Sequence, residues 1–179
     1  FASVHRDLVR LAGPGAAAAG LGTTLTVALV RDARALIAHV GDSRAYLWRA
    51  GLLAPLTADD SWVAAEVRAG RLLRDAADAH PQRHFLLHCL GLGEMAPVHV
   101  ARVALRPRDR LVLTTDGVHG PLDDDALTEL AGAGSPPRAA AALVRAALGA
   151  GGHDNATAVV LAFDAAPAAA PPPTRPRAD

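Results

Sequence analysis

Apolar and polar residues alternate along several short stretches of the chain, with the period of two that is typical of half-buried β-strands. These stretches are bounded by Gly, Pro, Asp or Ser, residues that commonly form turns. The first three are joined by short turns and predict an antiparallel meander. The predicted strands occupy residues 24–30, 35–40, 44–49, 98–105, 110–115 and 156–163.

Other stretches repeat apolar residues at helical spacing. The first of them places Val4, Leu8 and Leu11 on one face. The second is expected to begin at Asp60 or Ser61, since both side chains can cap a helix N-terminus. Helices are predicted over residues 4–11, ended by the Gly-Pro-Gly segment 13–15, and over 61–69, 121–131 and 137–148, with 76–82 as a loop or short helix.

The composition is that of a globular protein, because 51% of the residues are apolar and 20% are charged. The formal net charge is zero, which argues against nucleic acid as a partner. No apolar run approaches the roughly 20 residues that span a bilayer, so no membrane span is expected. The single cysteine, Cys89, excludes an intramolecular disulfide and fits a reducing cytoplasm.

The predicted elements, together with the composition of the C-terminal residues, divide the chain into two parts. Residues 1–163 are expected to form one domain, which is long enough to bury a core. Residues 164–179 are rich in Ala and Pro and predict a disordered tail or linker that cannot bury enough surface to fold. The chain opens at Phe1 rather than at Met, so we expect an N-terminal section of the domain to be missing.

Two aspartates stand at the ends of predicted buried strands. Asp116 follows the strand 110–115, and Asp154 precedes the strand 156–163. Their carboxylates can converge if these strands are adjacent and antiparallel, and neighbouring glycines allow a close approach. Carboxylate oxygens suit Mg²⁺ and Mn²⁺, and a pair of such ions can activate water for phosphoryl transfer. The alternative is that each Asp caps a turn, as Asp-Gly and Asp-Asn often do.

A third motif, Gly41-Asp42-Ser43-Arg44, follows the second predicted strand. Together with five other blocks in the same order, it makes the chain resemble the metal-dependent protein phosphatase family (PPM, or type 2C), in its bacterial form, over about residues 1–163. Six ordered blocks are far more specific than one short motif. The blocks are Gly22-Thr23-Thr24, Gly41-Asp42-Ser43-Arg44, Leu56-Thr57-Ala58-Asp59-Asp60-Ser61, His80-Pro81-Gln82-Arg83, Thr115-Asp116-Gly117 and Gly152-His153-Asp154-Asn155-Ala156-Thr157.

The resemblance implies an α+β fold, the PPM-type α-β-β-α sandwich of two antiparallel sheets flanked by helices, here N-terminally incomplete. It implies that Asp116 and Asp154 hold two Mn²⁺ or Mg²⁺ ions, and that Asp42 helps to bind a third, weaker one. A metal-bound water, rather than a side chain, would attack the phosphorus of phosphoserine or phosphothreonine. Residues 60–83 resemble the family's flap, which lies beside the active site and influences substrate choice.

Three features depart from the family pattern. The N-terminal Asp-Gly-Met-Gly-Gly-like metal motif and an upstream phosphate-binding Arg are absent, so a bridging ligand is missing and these 179 residues alone are expected to show little or no activity. Gly120 stands where the family often has Asp, which weakens the case for a third metal at Asp42. His88 stands where many members have Arg, and the sequence gives no functional account of that change.

The expected function is that of a signalling enzyme, a protein-serine/threonine phosphatase that acts in the cytoplasm on the phosphorylated protein substrates of a Ser/Thr kinase. The missing motif leaves open a non-catalytic, phosphatase-derived interaction domain (a pseudophosphatase). His119 and His153 adjoin the candidate ligands, so contact with the substrate is considered for both, but neither is expected to make it.

Overall fold

The structure of the protein, a computed structural model, describes residues 1–12, 20–152 and 154–164. The predicted helix end at 13–15, His153 and the predicted tail from residue 165 onward lie outside these residues. The elements in chain order are α1 (Ala2–Leu11), β1 (Leu25–Arg31), β2 (Arg34–Val40), β3 (Arg44–Arg49), β4 (Leu52–Pro55), α2 (Trp62–Arg68), α3 (Arg74–Asp78), β5 (His99–Ala104), β6 (Arg110–Thr114), α4 (Asp116–His119), α5 (Asp124–Gly132), α6 (Pro136–Gly149) and β7 (Ala158–Ala162).

The strands form two antiparallel sheets, with the order β1-β2-β5 in one and β4-β3-β6-β7 in the other. Because side chains alternate along a strand, β3 sends Ala45 and Leu47 to one face of its sheet and Tyr46 and Trp48 to the other. Ala45 and Leu47 pack with Ile37 of β2 in an apolar cluster. The two sheets are therefore stacked face to face around this cluster.

Helices pack on the outer faces of both sheets. On the four-stranded sheet, Leu127 of α5 belongs to a buried cluster with Tyr46. On the three-stranded sheet, Leu8 of α1 packs against a cluster that contains Val40, which lies on the face of β2 opposite Ile37. The predicted α+β sandwich with flanking helices is confirmed. Within the described ranges, every helix is too short or too polar to cross a bilayer.

The predicted meander of the first three strands is wrong, because β2 and β3 belong to different sheets. β2 pairs with β1 and β5, whereas β3 pairs with β4 and β6. The chain changes sheets at Gly41, whose φ of 110° lies in the region that favours glycine. A Cβ atom at Gly41 would lie 2.3 Å from Cγ2 of Thr24, so only glycine allows this close passage.

The helices are close to the predicted ones, and their caps explain the differences. Ser61 caps α2, and its Oγ accepts a hydrogen bond from the Ala64 N–H at 3.3 Å. α5 begins three residues after the predicted start at Pro121, because the Asp123 carboxylate caps it and accepts from the Ala126 N–H at 2.8 Å. The short helix α4 and the strand β4 were not predicted.

The face that α1 buries differs from the predicted apolar face. Leu8 is half-buried, but Leu11 is 62% exposed and Val4 is also exposed. The buried residue of this helix is His5, whose Nδ1 accepts a hydrogen bond from the Gly91 N–H at 3.2 Å. A polar residue with a buried backbone partner therefore takes the place that hydrophobicity alone assigned to Val4 and Leu11.

Candidate active site

A cleft of about 200 Å³ opens at one end of the four-stranded sheet. At this end the first residues of β3 and β7 lie beside the last residue of β6 in the sheet register. The segments that adjoin these strand ends therefore meet in space. The structure brings Asp42, Asp116 and Asp154 together here, since all three line the cleft. Their role as metal ligands stays a prediction.

Backbone contacts hold the segments of Asp116 and Asp154 against each other. The Thr115 N–H donates to the Thr157 carbonyl at 3.1 Å, and the Thr157 N–H donates to Thr115 Oγ1 at 3.0 Å. Gly117 lies so close to the next segment that a Cβ atom on it would be 2.3 Å from the Asn155 carbonyl oxygen. The glycine after Asp116 thus permits the contact that places Asp154 on the same cleft.

Asp42 lies close enough to two other carboxylates to be repelled by them. The pKa of Asp42 is raised to about 6, first by burial and then by the negative charges of Asp116 and Asp59. Asp116 and Asp154 each use Oδ1 to accept from the next backbone N–H, at 2.9 and 2.6 Å. These bonds orient both carboxylates.

This donor set fits hard divalent cations. Three carboxylates converge on one cleft, and the repulsion that Asp116 exerts on Asp42 is the electrostatic condition that a bound cation relieves. Oxygen donors are the ligands that Mg²⁺ and Mn²⁺ prefer. Gly120, which also lines the cleft, offers no side-chain ligand beside Asp42.

The cleft also contains an ion pair that the sequence did not predict. The Arg44 guanidinium donates from Nε and Nη2 to the two carboxylate oxygens of Asp59, at 2.9 and 2.8 Å. Because Arg44 is already paired in this bidentate way, its charge is largely committed to Asp59. Arg83 also lines the cleft and is exposed, so its guanidinium can meet an incoming anion.

His119 lies on the cleft but is kept neutral. Burial, followed by the charge of Arg44, lowers the pKa of His119 to about 3. Its Nδ1 lies 2.9 Å from Oγ1 of Thr114, within the buried end of β6. A neutral imidazole in this position can hold a hydrogen bond but does not carry a proton as a cation near pH 7.

Among the sequence-predicted residues, the three aspartates are brought together, and His153 lies outside the described residues. The sequence analysis assigned no role to Arg44, Asp59 or Arg83, although each of them lies within one of the six ordered blocks. Their positions in these blocks could have marked them as site residues, but only the fold shows that Arg44 and Asp59 form an ion pair.

A sequence model described as Protein phosphatase 2C matches residues 6–148 of the chain. The match covers well over half of the chain and includes the segments that carry Asp42 and Asp116. The chain belongs to the protein phosphatase 2C family. The resemblance inferred from the six ordered blocks is thereby confirmed.

Named members of the protein phosphatase 2C family match most of this chain. It is 39% identical over 141 residues to the serine/threonine protein phosphatase PstP of Mycobacterium tuberculosis (strain CDC 1551 / Oshkosh), covering 79% of the chain and 27% of PstP. It is 30% identical over 165 residues to the protein phosphatase PhpP of Streptococcus pneumoniae serotype 2, covering 92% of the chain and 67% of PhpP. The chain thus spans about a quarter of PstP and about two thirds of PhpP.

A solved phosphatase 2C structure confirms the fold. The crystal structure of the catalytic domain of the serine/threonine protein phosphatase PstP in complex with two manganese ions has a TM-score of 0.77 to this chain, with 32% identity. The alignment covers 89% of this chain and 67% of that one.

Proposed function

We propose that the protein hydrolyses phosphoserine and phosphothreonine on proteins as a metal-dependent phosphatase of the 2C family. The observation that carries this proposal is the convergence of Asp42, Asp116 and Asp154 on one cleft at the end of a β-sheet. The names of the relatives, all protein phosphatases, favour catalysis over the alternative of a non-catalytic interaction domain.

Asp116 and Asp154 would hold two Mn²⁺ or Mg²⁺ ions, in line with the two manganese ions of the PstP catalytic domain. A third, weaker ion would rest on Asp42. When bound, such ions supply Lewis-acid activation of water and neutralise the charge of the phosphoryl group. We assign no side chain as the nucleophile.

The remaining cleft residues would bind and orient the substrate. Arg83 is an exposed cation at the cleft and would attract the phosphate dianion, whereas Arg44 is held by Asp59 and would instead fix the wall of the site. Val63 and Pro121 add apolar surface that can contact the peptide around the phosphorylated residue. His119, buried and neutral, would accept or donate a hydrogen bond without acting as a general acid.

The substrates would be phosphorylated proteins made by a Ser/Thr kinase of the same cell, and the single Cys89 fits a cytoplasmic signalling role. The family match over residues 6–148 supports the assignment of residues 1–163 to the phosphatase domain. Residues 164–179 would be a tail or linker, as their Ala/Pro-rich composition predicts.

Substitution of the predicted ligands tests the proposal. In the full-length natural protein, Asp116→Asn and Asp154→Asn are each expected to abolish Mn²⁺-dependent phosphate release from a phosphothreonine peptide, because the carboxamide keeps the size but removes the charge that binds the ions. Asp164→Asn is the matched control, since Asp164 is exposed beyond β7 and does not line the cleft. Full activity in either ligand variant, with circular dichroism showing the same fold, would refute the assignment.

A further inference from the structure

A second group of metal-binding side chains lies outside the acidic cleft. Asp60, His88 and His99 each offer one ligand atom, and these atoms lie within 4.8 Å of one another. None of the three lines the cleft. The Asp60 side chain is 5% exposed, whereas those of His88 and His99 are 42% and 54% exposed. The group therefore has a buried carboxylate at its base and two imidazoles that reach solvent.

The Asp60 carboxylate is fixed by the backbone at the change of sheets. The Gly41 N–H donates to Asp60 Oδ2 at 3.0 Å, and the Asp60 N–H donates to the Gly41 carbonyl at 2.8 Å. The other oxygen, Oδ1, faces His99 Nε2 at 3.0 Å and His88 Nδ1 at 3.5 Å. One oxygen is thus anchored and the other is shared by two imidazole nitrogens, as in metal sites whose carboxylate is oriented by an outer hydrogen bond.

The distances suit a tetrahedral ion. With metal–ligand bonds of about 2.0–2.1 Å, two ligand atoms at a tetrahedral angle lie roughly 3.3 Å apart. The two observed nitrogen–oxygen distances, 3.0 and 3.5 Å, fall on either side of that separation. Two imidazoles and one carboxylate are a ligand set of zinc, whereas Mg²⁺ and Mn²⁺ prefer oxygen donors. The chemistry of this group therefore differs from that of the acidic cleft.

A further buried imidazole, that of His39, lies beside this group. His39 and His99 are directly opposite in the β2–β5 register, so their side chains share a face, and their ring centroids lie 6.5 Å apart. His39 is 1% exposed, and Nδ1 lies 2.8 Å from Thr26 Oγ1. Its Nε2 is buried and has no hydrogen-bond partner among the described residues. A hydrated ion held by His99 would offer this nitrogen a hydrogen-bond partner.

We propose that Asp60, His88 and His99 form a zinc site that fastens the flap to the core of the protein. Asp60 begins the flap (residues 60–83) and precedes α2, His88 lies five residues beyond the end of the flap, and His99 begins β5. One ion would therefore join both ends of the segment 60–88 to the three-stranded sheet. His88, which stands where many family members have Arg, is a ligand in this arrangement.

Zinc uptake by this group can be measured in a variant whose acidic cleft has lost its three converging carboxylates. The background is the protein with Asp42→Asn, Asp116→Asn and Asp154→Asn, which removes the three carboxylates that converge on the cleft and leaves Asp60, His88 and His99 intact. Competition with a chromophoric chelator is expected to give one bound Zn²⁺. Adding His88→Ala or His99→Ala should weaken zinc binding by at least about 100-fold, since even the loss of an outer partner of a ligand costs 10–100-fold.

The matched control is His84→Ala in the same background, because His84 is an exposed histidine that lines the acidic cleft and does not belong to the group. It should leave zinc affinity unchanged. Zinc at about 100 times its Kd should raise the Tm of the background protein by roughly 5–10 °C, and His88→Ala should remove that rise. Co²⁺ in place of Zn²⁺ should give the visible absorption of a four- or five-coordinate site, also lost in His88→Ala.

Each outcome decides the proposal. A folded background protein that takes up no zinc would overturn it and would show that the two imidazoles only form ion pairs with Asp60. Equal zinc affinity in the His84→Ala and His88→Ala proteins would overturn it as well, because the zinc would then be bound elsewhere. Since activity is not the readout, these results are independent of the proposed phosphatase function.

Discussion

Gly117→Ala tests whether the close contact of two segments holds the acidic cleft together. Gly117 follows Asp116 in α4, and an added Cβ atom would lie 2.3 Å from the Asn155 carbonyl oxygen and 2.9 Å from its carbonyl carbon. Both are backbone atoms that cannot rotate away. The carbonyl would have to move by about 1 Å to reach ordinary van der Waals distance, and Asp154 would move with it.

The expected effect has two opposing contributions. Alanine is favoured over glycine in a helix by about 1 kcal/mol. Overpacking against a fixed backbone costs about 1–3 kcal/mol, and moving Asn155 weakens the bonds that Thr115 makes to the Asn155 and Thr157 carbonyls, each about 1 kcal/mol. The overpacking and the weakened bonds prevail, so we expect the free energy of unfolding to fall by about 2 kcal/mol.

The effect on catalysis should exceed the effect on stability. A displacement of about 1 Å in a catalytic group can lower the rate about 100-fold, so Gly117→Ala should reduce Mn²⁺-dependent phosphate release in the full-length natural protein by about that factor. Gly149→Ala is the matched control, because no atom lies within 4 Å of a Cβ atom there and the residue ends α6. If Gly117→Ala leaves the urea midpoint and the rate as they are in the Gly149→Ala protein, the reasoning is refuted.

Two further predictions concern the buried carboxylate of Asp109 and the half-buried carboxylate of Asp42. Asp109→Ala should lower the free energy of unfolding by about 2–3 kcal/mol in urea denaturation, because Arg49 loses its bidentate partner. The hydrogen bond from Arg49 lowers the pKa of Asp109, so its stabilisation is complete above about pH 5 and is lost as the pH falls; a loss on raising the pH instead would contradict this. Asp42→Asn should stabilise the metal-free protein by about 1–2 kcal/mol at pH 7, because the raised pKa of Asp42 means that ionisation opposes folding there. That gain should shrink toward pH 4, and a gain that grows toward pH 4 would show that the sign is wrong.

The strands and most helices could be predicted because their signals are local. The alternation along β3 shows that one face differs from the other, but it does not show which sheet the strand joins. That choice is made at Gly41, where the contact with Thr24 joins residues that are distant in sequence. For this reason the meander was wrong although all three of its strands exist.

The same limit applies to the sites. Asp116 and Asp154 could be paired from the sequence, because both adjoin strong strand patterns and lie in recognisable motifs. Asp60, His88 and His99 come from three separate segments, since Asp60 precedes α2, His88 lies between α3 and β5, and His99 begins β5. Only the folded chain brings their ligand atoms together.

The strand pair β3–β6 contributes to both buried layers of the molecule. In β6, Leu111 faces the other sheet and Val112 lies beneath the helices, as Leu47 and Tyr46 do in β3. Neither layer can therefore come apart while the other stays packed, and the backbone amide protons of these strands should exchange with solvent only when the whole domain opens. Asp42 and Asp116 adjoin the ends of these two strands, so two of the three cleft aspartates stand beside the segment that we expect to open last.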